Sequence, residues 1–259
     1  MNQLDTIVAS RLRDVHRRKS SEPLELLYGS TRNRPPARDF ESALRSGTPA
    51  IVAEFKRSSP SAGALADRDP VATARAYQAG GAAALSILTE PEWFGGTIED
   101  LVAARRATGL PVLRKDFIVD EYQVWESAQA GADAILLIAA ILTSDELAAF
   151  HGLARSLQMC AVVEVHDEND ARRALRAGAT VIGINNRDLA TMRVDLRTAL
   201  AVRRSLPDDC TVIAESGYSR SADLAACARA GIDAVLIGES LMRAADPAAA
   251  VAALRAIPT

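Results

Sequence analysis

Five residues stand where their types could do proton chemistry. Glu54 and Lys56 lie two apart, and Lys115, Glu164 and Glu215 each close a short apolar run. An ammonium can give up a proton and a carboxylate can take or return one. Each group placed this way supplies ~10²–10⁴ in rate. The lysines are informative because the chain uses so few. Of 30 cationic residues only Lys19, Lys56 and Lys115 are lysine, and arginine stands next door at Arg114. Arginine cannot release its proton, whereas lysine is a compact charge whose pKa moves on burial. A second signal lies in Ser58-Ser59-Pro60-Ser61, Ser216-Gly217 and Gly238-Glu239-Ser240, each of which follows an apolar run. Backbone N–H groups at a helix start hold a phosphate dianion. Glu239 could serve there only through its N–H. Singly, such glycines mark only turns.

The elements that must position these residues follow from a repeat. Segments beginning at Ala79, Ala130, Ala177 and Ala230 share an Ala-Gly pair followed by an apolar run, with glycines at Gly80, Gly131, Gly178 and Gly231. Each reads as a helix end, a glycine stop that takes the left-handed conformation, and a strand buried on both faces. Four further runs alternate with these: Ile51-Val-Ala-Glu-Phe-Lys, Val112-Leu-Arg-Lys, Ala161-Val-Val-Glu-Val and Thr211-Val-Ile-Ala-Glu. Helical spacing lies between them, as in Val71, Ala74 and Tyr77. Eight strands alternating with eight helices predict α/β architecture, a single (β/α)8 TIM barrel with an N-terminal helical extension. The expected boundaries are 1–48 for the extension and 49–259 for the barrel. A doubly wound sheet is disfavoured because no GxGxxG or GxxxxGK[ST] loop is present. In the extension, Leu4, Ile7, Val8, Leu12 and Val15 form the expected apolar face, and a second short helix follows Arg34-Pro-Pro-Ala-Arg-Asp-Phe. Packing of that face on the barrel is the plain reading, and a partner-binding helix the other.

Barrel active sites lie at the C-terminal ends of strands, where side chains of alternate strands converge. Glu54, Lys56, Lys115, Glu164 and Glu215 fall on strands one, three, five and seven. The even strands bring Ser86, Leu137, Asn185 and Gly238 to comparable positions. One strand-end charge can be a solvated rim residue or half of an ion pair. Five together would cost several kcal/mol per ion unless paired.

Composition bounds the function. The chain has 259 residues, 49% hydrophobic and 24% charged, with net charge -3. That excludes a disordered chain. The longest apolar run, 134–142, is far below the ~18 residues of a membrane span. The charge gives no footprint for nucleic acid. Cys160, Cys210 and Cys227 form no CxxC pair, and His16, His151 and His166 have no metal-ligand spacing. No apolar segment follows the N-terminal arginines to make a secretory signal, so a cytoplasmic protein is expected.

Ile51-Val-Ala-Glu-Phe-Lys-Arg-Ser-Ser-Pro-Ser closely resembles the first-strand signature of the indole-3-glycerol-phosphate synthase family. The resemblance runs on through Leu85-Ser-Ile-Leu-Thr-Glu, Val112-Leu-Arg-Lys-Asp-Phe-Ile-Val-Asp, Gly131-Ala-Asp-Ala-Ile-Leu-Leu-Ile, Val163-Glu-Val-His, Ile182-Gly-Ile-Asn-Asn-Arg-Asp-Leu, Ala214-Glu-Ser-Gly and Leu236-Ile-Gly-Glu-Ser-Leu-Met. It covers all eight strands, with Met192 and Tyr218 departing where Phe and Ile are expected. It implies ring closure, decarboxylation and dehydration of 1-(2-carboxyphenylamino)-1-deoxyribulose 5-phosphate to indole-3-glycerol phosphate in tryptophan biosynthesis, a carboxy-lyase reaction without metal or organic cofactor. By the same matching Lys115 is the acid for ring closure and Glu164 an acid/base. Lys56 binds the carboxylate or donates a later proton, while Glu54 and Asn185 orient the substrate. Ser59, Gly217, Gly238 and Glu239 would hold phosphate. Glu215, Ser216 and Arg187 would line the site, and Phe117, Leu137, Leu189 and Leu236 would wall the aromatic ring. The expected partner is a small phosphorylated substrate, with no nucleic acid or membrane, and the chain is expected as a monomer or weak homo-oligomer.

Three rivals stand beside this. Phosphoribosylanthranilate isomerase would be expected to use a cysteine base after strand one and an aspartate acid. Here Glu54 and Lys56 occupy that strand end, and Cys160 lies at the wrong end of strand five. A non-catalytic anion-binding barrel predicts loss of acid/base residues, yet all are present. An interaction protein working through the N-terminal helix has no exposed patch in its favour.

Overall fold

The computed structural model describes residues 3–31, 34–47, 49–60, 63–188 and 191–256. Eight strands form a closed parallel barrel: β1 Ala50–Phe55, β2 Ala84–Leu88, β3 Val112–Lys115, β4 Ala134–Ile138, β5 Cys160–Val165, β6 Val181–Asn185, β7 Thr211–Glu215 and β8 Ala234–Ile237. Each strand pairs with its sequence neighbours, and β8 closes on β1 through Ala50 opposite Ala234. The connections are capped as their sequences demand. Asp69 caps the helix that begins at Pro70, and Thr97 with Asp100 and Thr143 with Glu146 form reciprocal capping boxes.

The glycine stops appear at Gly131, Gly178 and Gly231, with φ of 82°, 86° and 72°. In the first repeat the left-handed residue is Gly81 (φ 89°), whereas sequence spacing had pointed to Gly80. Gly80 still has a reason to be glycine. A Cβ there would lie 2.4 Å from the Ala248 carbonyl oxygen of the last helix, Pro247–Arg255.

Strand alternation sorts the side chains. Val52, Leu113, Leu136, Val162, Ile213 and Leu236 fill the barrel, while Ile51, Phe55, Leu137, Val163 and Ile182 face the helices. On the same inward parity each odd strand delivers its ionisable residue to the C-terminal rim.

Among the described residues the extension holds three helices, α1 Gln3–Ser21, α2 Leu24–Thr31 and α3 Phe40–Leu44. In α3, Asp39 caps the first turn through the Ser42 N–H at 2.9 Å, and Phe40 and Leu44 join the core inside the barrel. In α1, Ile7 and Val15 are buried as the periodicity predicts, but Leu12 is 48% exposed and Arg11 is only 2% exposed. The reason is an ion pair. Arg11 donates to Asp116 from Nε at 2.9 Å and from Nη2 at 2.7 Å. A buried guanidinium with a bidentate partner outcompetes one leucine for the inward face. Among the described residues no helix is long and apolar enough to cross a membrane.

Candidate active site

The strand ends meet around a cavity of about 470 Å³ at the C-terminal mouth of the barrel. Lys115 stands at its centre. Its Nζ lies 2.9 Å from Glu164 Oε2 and 3.1 Å from Glu215 Oε2. Asn185 Nδ2 donates to the other oxygen of Glu164 at 3.2 Å, and Asn185 Oδ1 accepts the Arg187 N–H at 3.0 Å. Across the mouth Lys56 Nζ sits 2.6 Å from Glu54 Oε1. Three carboxylates and two ammonium groups from four alternate strands are thus paired, which is what makes their burial tolerable.

The pairing sets their ionisation. Burial alone would pull the Lys115 ammonium down, but Glu164, Glu215 and Glu54 together outweigh it and hold its pKa above the ordinary value. Burial would raise Glu164, yet Lys115 and His166 bring it below the usual carboxylate range. Glu215 goes the other way, pushed up to about 7 by burial and by its neighbours Glu164 and Glu54, against the pull of Lys115. Two carboxylates sharing one ammonium are driven apart in this manner.

Backbone gaps make room for the cluster. A Cβ on Gly183 would lie 2.3 Å from Glu215 Oε1, and one on Gly238 would lie 2.3 Å from Glu54 Oε1. Gly183→Ala is therefore expected to push Glu215 off Lys115. We expect kcat to fall about 10–100-fold, with the thermal midpoint lowered as well because Glu215 leaves a buried pair. Full activity in that variant would mean the position of Glu215 does not matter.

Beside the charges lie the glycine loops. Ser216 (φ 66°) and Gly217 (φ 91°) turn the chain after β7. Asn186 Nδ2 fixes that turn by donating to the Glu215 and Ser216 carbonyls at 2.9 and 3.1 Å. Gly238 caps the short helix Glu239–Arg243 after β8, and the Glu239 side chain turns to Arg243 Nε at 3.2 Å. The buried Ser240 hydroxyl has no hydrogen-bond partner.

Of the residues singled out from sequence, Glu54, Lys56, Ser59, Lys115, Phe117, Glu164, Asn185, Arg187, Glu215, Ser216, Gly217, Leu236, Gly238 and Glu239 all line this cavity, as do Met192 and Tyr218. Leu137 does not. It points outward into the helix layer, and its neighbours Leu136 and Ile138 take the wall. Ser61 and Leu189 lie outside the described residues. Sequence reasoning missed Phe94, which stands 6.0 Å ring to ring from Phe117, and Leu4 and Ile7 of α1. Ser240, part of the phosphate signal after the eighth strand, lines the cavity too, whereas Arg243 had been given no role. Cys160 begins β5 at the far end of the barrel, where burial pushes its thiol up, so it is no base for this mouth. Among the described residues no group of three or more His, Cys, Asp or Glu is arranged to hold a metal ion.

A closed eight-stranded barrel with lysine–glutamate pairs and glycine loops at its C-terminal mouth has the architecture of a TIM-barrel enzyme. Solved barrels share this fold at low identity. They include a 3-hexulose-6-phosphate synthase (TM-score 0.65, 19% identity, 81% of this chain and 100% of that one) and a thiamine phosphate pyrophosphorylase from Pyrococcus furiosus (0.60, 18%, 85% and 97%). The chain belongs to the indole-3-glycerol phosphate synthase family, whose sequence pattern matches residues 4–254. Relatives of that name are 48% identical in Rhodococcus jostii (strain RHA1), over 98% of this chain and 95% of the relative, and 47% identical in Mycobacterium avium (strain 104), over 97% and 93%.

Proposed function

We propose that this enzyme converts 1-(2-carboxyphenylamino)-1-deoxyribulose 5-phosphate to indole-3-glycerol phosphate, carbon dioxide and water. The observation that carries the reading is Lys115, half-buried in the cavity and shared between Glu164 and Glu215.

The residue types fit the steps. The attacking carbon belongs to an aromatic ring and is a poor nucleophile, so the ketose carbonyl oxygen must be protonated as the bond forms. Lys115 gives that proton. Carbon dioxide then leaves from the ring carbon. The hydroxyl departs as water with help from a second acid, and a base takes the last proton to make the aromatic indole. Glu164 serves as acid/base in these steps. Lys56 holds the substrate carboxylate and can donate in the later step, with Glu54 at 2.6 Å orienting it. Asn185 fixes Glu164 and the substrate amine, and Glu215 lines the site beside Lys115. Ser59 and the backbone groups of Gly217, Gly238 and Glu239 receive the phosphate, with Ser216 and Arg187 lining the approach. Phe117 and Leu236 wall the aromatic ring, joined by Phe94, Leu136 and Ile138.

Residues 49–259 act as the catalytic barrel and 1–48 as its extension. The enzyme works as a monomer or weak homo-oligomer on a small phosphorylated substrate in the cytoplasm, with no part for nucleic acid or membrane. The test is direct. Purified protein is mixed with the ribulose phosphate, without added metal, and the indole chromophore is followed. Growth of the indole signal is expected. Its absence, with a phosphate ligand still bound, would leave a non-catalytic anion-binding barrel.

A further inference from the structure

Behind Glu164, outside the cavity lining, stands His166 at the C-terminal edge of β5. Its Nε2 lies 3.6 Å from Glu164 Oε1 and its Nδ1 lies 3.9 Å from Asp170 Oδ2, on the helix Glu168–Arg176. Both ring nitrogens are buried, and neither has a hydrogen-bond partner. A neutral imidazole left so would bury a donor and an acceptor unsatisfied. An imidazolium between two carboxylates is instead held by charge on both sides. The other charged groups around it are Glu215 on β7, Lys115 on the opposite oxygen of Glu164, and Arg173, whose Nη1 is 3.5 Å from Asp170 Oδ1. Burial lowers the histidine's affinity for its proton, but Asp170, Glu164 and Glu215 together raise it.

We propose that His166 is a positioning residue for Glu164, a second cation that holds this carboxylate ionised and in place when Lys115 turns away from it to the substrate. In the free enzyme Lys115 occupies one oxygen of Glu164, while Asn185 and His166 face the other. Once the ammonium moves to the ketose oxygen, Asn185 can hold orientation but not charge. His166 supplies the charge without touching substrate. The inference rests on the role given to Glu164 above.

The sign of the pH effect follows. Removing a positive neighbour raises a carboxylate's pKa. His166 carries its charge only at the acid side of its own titration, so its loss matters there and fades as pH rises. For His166→Ala we expect the acid limb of the kcat profile to move up by about one pH unit, with kcat up to about tenfold lower along that limb, near wild type on the alkaline plateau, and KM within about threefold. An unmoved acid limb, or an equal loss at every pH, overturns the proposal. A measurement on folded protein without that variant runs alongside. The chain has only His16, His151 and His166, so the imidazole signals can be assigned by NMR. In Glu164→Gln the His166 midpoint should fall by about one pH unit, and an unchanged midpoint overturns the proposal. The same Glu164→Gln protein, assayed for turnover, separates the two failures. Retained activity removes Glu164 from the mechanism, whereas lost activity with no coupling to His166 removes only this inference.

Discussion

Replacing Lys115 by alanine lowers kcat by about 10²–10⁴-fold and leaves substrate affinity within about tenfold. In the role proposed for it the group acts on the transition state, where the ketose oxygen gains charge, so its loss is expected to fall on kcat. Lys115→Arg is expected to be nearly as damaging. Arginine would keep the pairs with Glu164 and Glu215, now at 2.9 and 3.1 Å from Nζ, but could not hand over a proton. Single-turnover rates with both variants, beside substrate affinity measured separately, check this. Substantial turnover in Lys115→Arg would mean that charge suffices. Unchanged turnover in Lys115→Ala would remove the residue from the chemistry.

The second large effect concerns stability and the residue next in sequence. Asp116 accepts from Arg11 twice, from Arg114 Nη2 at 2.9 Å, from Thr89 Oγ1 at 2.6 Å and from the Phe117 N–H at 2.8 Å. Asp116→Ala leaves two buried guanidinium groups short of their shared counter-charge. Losing one partner of a buried pair costs about 3–5 kcal/mol, and that loss is expected here. Burial would raise the Asp116 carboxyl, but Arg11 and Arg114 hold it below the usual carboxylate range. A carboxylate depressed in the folded state contributes fully above its unfolded pKa, about 4, and loses that contribution as pH falls through the folded value. The gap between wild type and Asp116→Ala in denaturant unfolding should therefore be full at pH 7 and shrink only in acid. A gap below about 1 kcal/mol at pH 7, the range of an exposed pair, would mean the cluster is not held as a unit.

The barrel was legible because its repeat is written in helix stops and strand runs. The odd-strand charges were legible because a Lys or Glu at the end of an apolar run is conspicuous. Leu137 was misjudged for a physical reason. β4 is Ala-Ile-Leu-Leu-Ile, apolar on both faces because helices cover its back, so hydrophobicity does not reveal which parity faces in. The pairing does, since Ile138 lies opposite Glu164 and shares its inward side. Arg11 was hidden for the opposite reason, since helical periodicity reads an arginine as a surface residue until its partner, 105 positions away, is known. Phe94, Leu4 and Ile7 come to the cavity lining from segments with no local mark of it. His166 was visible as one residue of a resemblance, but its place between two carboxylates needed the turn after β5.

The extension holds both ends of the barrel. α1 supplies Leu4, Ile7 and Arg11 at the mouth, and α3 sends Phe40 and Leu44 into the opposite end. Neither seat exists until later strands are in place. Asp116 follows β3, and Arg45 beside α3 donates to Thr211 at the start of β7, 2.8 Å away. During synthesis, which runs from the N-terminus at about 5–20 residues per second, α1 must wait for the third strand and α3 for the seventh before each can dock.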